Sequence, residues 1–280
     1  MLARLRSQAI LLKLKKSYFT DESRHMQSYI TEVKESSLLY GNTHVLWIDN
    51  PTEIPMIPGQ FLMVYIGDSH TQLLGRPLSI HRLRDNGQEC ALLFEVIGQG
   101  THWLSQRNTG EKVRFVGPLG NGYKIEPNTQ RALLVGGGIG CAPLIWLADN
   151  LSAQEKDVTL LLGARTKNQI FPPALVPPNV EIVATTEDGS FGQKGLITEP
   201  FKDLLSWSDQ VFSCGPRPMF EALYGLLLET GSSKSMQILM EEHMACGFGI
   251  CYSCAVFPRK GGVKLICNDG PMFDIREIYA

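Results

Sequence analysis

Four cysteines near the end of the chain constrain it more than any other feature. They lie in Glu242-His-Met-Ala-Cys246-Gly-Phe-Gly-Ile-Cys251-Tyr-Ser-Cys254 and, after twelve intervening residues, at Cys267. Four thiolates that converge can hold a metal centre, and C-x4-C-x2-C with one later Cys is the plant-type [2Fe–2S] spacing. Gly247 and Gly249 let the loop wrap tightly. Wrapping also points backbone N–H groups at anionic sulfurs, which raises a cluster's potential. Between Cys254 and Cys267, two short β-type runs flank a turn at Pro258 to Gly262. A hairpin centred near Lys260–Gly261 sets those two cysteines opposite each other at its open end. The other readings are a structural zinc site, which usually pairs two short knuckles, or free thiols.

Seven cysteines without a secretory signal point to a reducing, cytoplasmic compartment, where clustered cysteines bind metal more often than they form disulfides. Cys90, Cys141 and Cys214 stand alone and read as small core residues. A net charge of -2 over 280 residues offers no electrostatic case for nucleic acid, and the length suits two domains plus a small appendix.

Residues 1–25 differ from the rest. The first twenty carry Arg4, Arg6, Lys13, Lys15 and Lys16 without an acid, and the longest apolar run, Ala9 to Leu12, is too short for a membrane span or a signal-peptide core. A basic surface helix, a transit peptide or upstream sequence before a true start at Met26 all fit; an accessory or spurious extension is the reading adopted. No integral membrane segment is expected. Residues 26–128 read as short strands (Tyr29–Val33, Thr43–Ile48, Gln60–Ile66, Ala91–Ile97) separated by Asp49-Asn-Pro, Pro58-Gly and Asp85-Asn-Gly turns, which predicts a small antiparallel β-barrel. From 129 to 233, strand and helix alternate: strands at Ala132–Val135, Val158–Leu162, Val180–Thr185 and Gln210–Ser213, with a final helix from Pro218 to Leu228. That pattern predicts an α/β domain with a doubly wound parallel sheet. Residues 234–280 form the cluster segment.

Three further stretches carry chemistry. Arg76-Pro77-Leu78-Ser79 sets a guanidinium fork beside a hydroxyl, a combination suited to a pyrophosphate, or else a surface Arg with a turn Ser. Gly98-Gln-Gly100-Thr101 leads into a helix expected at His102–Gln106, whose start is an anion site. Gly136-Gly137-Gly138-Ile-Gly140 joins a strand to a helix, where phosphates can approach the backbone; position 141 is Cys, so the G-x-G-x-x-G fingerprint is absent, and a tight turn that binds nothing also fits. Cys214-Gly215-Pro216-Arg-Pro-Met219 follows the fourth strand, at the carboxyl end of the sheet where ligands bind, though on its own it reads as a βα loop.

Barrel, Arg-Pro-x-Ser, glycine turn and Cys-Gly-Pro-x-x-Met, in that order, resemble the ferredoxin–NADP reductase superfamily. With Met244-Ala-Cys246-Gly-x-Gly-x-Cys251-Tyr-x-Cys254 and Cys267-Asn-Asp-Gly-Pro-x-Phe273 added, the chain looks like the electron-transfer subunits of class 1B dihydroorotate dehydrogenase over residues 26–278. The resemblance implies a barrel that binds FAD, a second domain that binds NAD and one [2Fe–2S] cluster. Electrons would come from the FMN of a separate dihydroorotate dehydrogenase catalytic subunit, in a heterotetramer of two plus two serving pyrimidine biosynthesis. Carried over, Arg76, Pro77, Leu78 and Ser79 contact FAD, Leu93-Phe94-Glu95 is the strand presenting the next contacts, and Gly100-Thr101 is the phosphate loop. Gly136, Gly137, Gly138, Gly140, Cys214, Gly215, Pro216 and Met219 form the nicotinamide side, and Cys246, Cys251, Cys254 and Cys267 are the metal ligands. No acid–base catalytic residue is assigned, since the hard chemistry belongs to the cofactors. Leu78 stands where the superfamily has an aromatic residue, so stacking there is aliphatic, and Asn268 replaces a residue that is often basic. Two rivals keep the layout: a related diaphorase subunit serving a hydrogenase, a sulfide dehydrogenase or a transhydrogenase, and a zinc-stapled interaction protein without enzymatic activity.

Overall fold

The computed structural model describes residues 27–67 and 74–280; the basic stretch before them lies outside the described residues. Six strands close into an antiparallel barrel: β1 (Ser28–Tyr40), β2 (Thr43–Asp49), β3 (Phe61–Tyr65), β4 (Arg76–Arg84), β5 (Glu89–Glu95) and β6 (Lys112–Leu119), in the order β1-β2-β5-β4-β3-β6. Closure removes free sheet edges, and Val33, Leu46, Ile48, Leu62, Val64, Ile80, Leu92 and Phe115 fill the interior with essentially no exposed surface. The sequence reading finds four of these strands. It passes over β4 because Arg82 and Arg84 interrupt the alternation: Arg82 Nε meets Asp149 at 2.6 Å and Arg84 Nε meets Glu89 at 2.6 Å, so charge pairing replaces the polar-out signal. It passes over β6 because Gly117-Pro118 breaks the run. The helix α1 (Gln99–Ser105) starts three residues before the expected position.

The second half is a seven-stranded sheet of order β10-β9-β8-β7-β11-β12-β15. Its strands are β7 (Arg131–Gly137), β8 (Asp157–Ala164), β9 (Val180–Thr186), β10 (Gln193–Lys194), β11 (Gln210–Cys214), β12 (Met236–Leu239) and β15 (Met272–Asp274). All pairings are parallel except β12 with β15. Alternation along β7 explains the double winding. Ala132 and Leu134 pack toward the helix α2 (Cys141–Ala153), whereas Leu133 and Val135 pack toward α3 (Thr198–Trp207) and α4 (Arg217–Glu229). The strands β12 and β15 flank the cysteine loop in sequence and lie in the same sheet. A four-residue apolar run such as Met236–Leu239 carries no periodicity that could announce this.

Between Cys254 and Cys267, β13 (Ala255–Val256) and β14 (Lys264–Leu265) form the expected hairpin, followed by α5 (Ile266–Asp269); the short helix α6 (Ile275–Tyr279) ends the chain. The two halves are tied by polar contacts as well as packing. Gln210 Nε2 and Gln237 Nε2 both donate to the Lys124 carbonyl, at 2.9 and 2.7 Å, and Tyr123 Oη donates to the Ser213 carbonyl at 3.1 Å. These bonds hold the connecting segment against the sheet.

Candidate functional site

The cysteine loop is built to present sulfur. Gly247 has φ +83° and a side chain there would meet Met63 Cγ at 2.5 Å, so only glycine lets this turn sit against β3. Each of the four sulfurs accepts a backbone N–H: Cys246 from Phe248 at 3.4 Å, Cys251 from Ser253 at 3.5 Å, Cys254 from Cys267 at 3.4 Å and Cys267 from Gly249 at 3.1 Å. N–H groups converging on sulfur suit thiolates carrying charge. The cysteines form two pairs: Cys254 and Cys267 have Sγ atoms 3.3 Å apart, and the Cys251 side chain is among the groups that lower the Cys246 thiol. Burial pushes the Cys246 thiol up, but the N–H groups of Phe248, Cys251 and Ile250 outweigh it and bring the thiol down to about 7. Burial, and then the Cys254 thiol beside it, push Cys267 the other way. Among the described residues no three or more His, Cys, Asp or Glu side chains gather as a single ion requires. Two pairs suit a centre with two irons, each taking two ligands, better than one tetrahedral zinc.

A cavity of about 500 Å³ lies directly behind the loop. The barrel contributes Phe61, Pro77 and Ser79 to its wall, and the end of β12 with the chain after it contributes Leu239 to Met244. Register explains the barrel face: Ser79 pairs with Phe61 and Pro77 with Met63. Met63 therefore borders the flank of the cysteine loop and pairs with Pro77, which lines the cavity. Leu78, between Pro77 and Ser79, is half-buried against the barrel core. Leu93 and Phe94 are 3% and 2% exposed and fill the two cores on either side of β5, which leaves only their backbone for a ligand. Arg76 lies against Gly100, whose missing side chain makes room for it: a Cβ at Gly100 would meet Arg76 Nε at 2.8 Å. The Thr101 hydroxyl accepts from the N–H groups of Ile97 and Gly98 at 3.0 and 3.3 Å, so it closes the turn rather than facing outward.

A second cavity, of about 800 Å³, opens at the carboxyl ends of the parallel strands. Gly137, Gly138 and Gly140 line one side, Gly215, Pro216 and Met219 the other, and Glu95 reaches it from the barrel. The pairing of Gly136 with Cys214 brings the two motifs together. They are packed so closely that a side chain at Gly137 would meet Met219 Sδ at 2.8 Å. Gly136 and Cys214 are themselves buried sheet positions behind this wall.

A family profile described as the iron-sulfur cluster binding domain of dihydroorotate dehydrogenase B matches residues 241–279. The "dihydroorotate dehydrogenase B (NAD(+)), electron transfer subunit" of Geobacillus sp. (strain WCH70) is 38% identical over 225 residues, 79% of this chain and 86% of that protein. The protein of the same name from Desulforamulus reducens is 36% identical over 239 residues, 83% of this chain and 90% of that protein. The chain belongs to the family of dihydroorotate dehydrogenase B electron transfer subunits. Among solved structures, an NADH-dependent reduced ferredoxin-NADP oxidoreductase described for flavin-based electron bifurcation superposes with TM-score 0.77 at 28% identity, covering 90% of each chain. A ferredoxin NADP+ reductase from Neisseria gonorrhoeae shares the fold, with TM-score 0.62 at 15% identity over 73% of this chain and 92% of that one.

The electron-transfer-subunit family thus accounts for the cysteine loop, the barrel and the sheet together. Two features of this member escape sequence reasoning. Glu241 opens the family match and lines both cavities, yet in sequence it is one of two glutamates in front of the cysteines and nothing distinguishes it. His81 and Arg82 on β4 dock onto α2: His81 Nδ1 lies 2.8 Å from the Ala142 carbonyl and Arg82 takes Asp149 in a two-pronged pair. Partners sixty or more residues away leave no local signal.

Proposed function

We propose that this chain takes electrons from the FMN-containing catalytic subunit of a dihydroorotate dehydrogenase and delivers them, through a [2Fe–2S] cluster and FAD, to NAD+. The observation that carries the reading is contiguity: cysteine loop, barrel-side cavity and sheet-side cavity follow one another, with Met63 between the first two and Glu241 between the last two. The bound cofactors supply the chemistry, hydride exchange and single-electron passage. The chain's own residues bind and orient them. Cys246 with Cys251 would hold one iron, and Cys254 with Cys267 the other. Arg76, beside Gly100 and Thr101, would hold the pyrophosphate of FAD, with Pro77, Leu78 and Ser79 and the backbone of Leu93 to Glu95 along the ring system. The two glycine-lined loops, Gly136 to Gly140 and Cys214 to Met219, would admit the nicotinamide.

The cluster segment presents Ile250, Tyr252, Phe257 and Val263 to solvent at 73%, 54%, 75% and 47% exposure. Apolar surface beside an exposed Cys251 is the face we assign to the catalytic subunit, in an assembly of two plus two. Among the described residues no helix is long and apolar enough to cross a membrane. A related subunit for a bifurcating transhydrogenase is the second reading, favoured by the 0.77 superposition; identity of 38% against 28% puts it behind. The test is the visible spectrum of the anaerobically purified chain with iron, sulfide and zinc assays, followed by assay with a dihydroorotate-oxidising FMN protein. Flavin bands with an iron–sulfur shoulder and NAD+ reduction are expected. A colourless zinc protein, or a coloured one that couples to no such partner, would remove this reading.

A further inference from the structure

Among the described residues, the two cavities share three lining side chains, Arg217, Met240 and Glu241, and Arg217 is the cation among them. It opens α4 directly after Gly215 and Pro216, which pack against Gly137 of the glycine turn. Its guanidinium is paired with Glu242, three residues beyond the end of β12 and four before Cys246. The pair therefore ties the loop after β11 to the segment that leads into the cysteine loop. Neither partner is deeply buried: the Arg217 side chain is 54% exposed and that of Glu242 21%. The sheet-side cavity is short of cations. Glu95, Glu187 and Glu241 face it, against Arg165 and Arg217, and Arg217 is already matched by Glu242.

Hydride passes only between groups in contact, so the nicotinamide end of the dinucleotide belongs where the cavities join. Its pyrophosphate, one ribose further on, then lies by the glycine turn and Gly215-Pro216, within the neighbourhood of Arg217. Arg165, directly after β8, faces the sheet-side cavity but not the barrel-side one. We propose that the pyrophosphate of NAD and the carboxylate of Glu242 compete for Arg217: binding of the dinucleotide draws the guanidinium off Glu242, and formation of the ion pair opposes binding. A half-exposed ion pair contributes little to stability and is readily given up. A pyrophosphate offers the planar guanidinium a two-pronged partner of higher charge. Because Glu242 sits on the cysteine segment, the exchange links nucleotide binding to the state of that segment, and the linkage is reciprocal. The inference rests on the reading above that NAD occupies the sheet-side cavity.

The test is calorimetric titration of the full chain, loaded with FAD and cluster and kept oxidised, with NAD+ and with ADP-ribose, which keeps the pyrophosphate and lacks the nicotinamide. Arg217→Met should raise both dissociation constants about tenfold or more, as loss of a charged hydrogen bond does. Arg217→Lys should restore part of the affinity, since it keeps the charge and loses the fork. Glu242→Gln should act in the opposite direction and lower both constants about threefold, because the competitor is gone. Added to Arg217→Met, the same Glu242→Gln change should move affinity by less than about twofold, whereas plain repulsion between Glu242 and the phosphates would persist there. Weaker binding in both single variants overturns the proposal, as does an equal gain from Glu242→Gln with and without Arg217. An ADP-ribose affinity unmoved by Arg217→Met overturns it too, since the guanidinium would then serve the nicotinamide end. An unaltered chain that binds neither probe sinks the functional reading and the proposal together; a chain that binds both, with Arg217→Met indistinguishable from it, sinks the proposal alone.

Discussion

At the scale of single residues, Cys251 separates the metal centre from the flavin site. It is the exposed member of the cysteine set and lies outside the barrel strands. Cys251→Ser should lose iron and the cluster's absorbance yet keep FAD and its reduction by NADH, while NAD+ reduction by dihydroorotate stops; metal analysis and spectra check this, and full coupled activity would count against the ligand assignment. Arg76 poses the complementary question. A charged hydrogen bond is worth roughly 1.5–3 kcal/mol, so Arg76→Ala should weaken FAD binding by about tenfold or more. Fluorescence titration of the apoprotein measures this, and an unaltered affinity would take Arg76 out of the site.

At the scale of elements, the seam between β4 and α2 sets how the barrel faces the sheet. His81 is 3% exposed, hydrogen-bonded to the Ala142 carbonyl and edge-on to Phe171 at 5.6 Å. Burial lowers its pKa to about 4, against the partial support of the Ala142 carbonyl and with a further push from the charge of Arg82. The folded state therefore requires neutral His81, and the unfolded chain binds the proton first as pH falls. This contribution to stability is complete above the ordinary histidine range, shrinks as pH drops from about 6.5 to about 4, and amounts to about 3 kcal/mol in all. Urea unfolding at several pH values should show that slope, and His81→Gln should flatten it; identical slopes would mean the seam does not sense pH through this residue.

At the scale of the whole molecule, the apolar rim of the cluster segment is where a second protein should meet this one. Phe257 is 75% exposed and lies outside both cavities. Phe257→Glu should weaken association with the catalytic subunit by about tenfold or more, as loss of an interface aromatic usually does, with flavin and cluster spectra intact. Sedimentation of the mixed subunits reads this out, and undiminished assembly would place the docking face elsewhere.

The cysteine spacing, the barrel-then-sheet order and the glycine turns were legible from the sequence because each is local: a loop that wraps sulfur, strands that alternate and a turn that admits phosphate need residues close together in the chain. Cys254 and Cys267 could be set opposite each other for the same reason, since one hairpin joins them. The placement of Met236–Leu239 and Met272–Asp274 in the main sheet, the burial of Leu93 and Phe94, and the meeting of Arg76 with Gly100 depend on packing between distant segments. Glu241 is the clearest case. Its sequence neighbours make it one of two adjacent acids; only the tertiary structure pairs Glu242 with Arg217 and leaves Glu241 facing the place where the two cavities join. Residue types and short spacings determine which cofactors a chain can hold, whereas the company a side chain keeps comes from elements brought together by the fold.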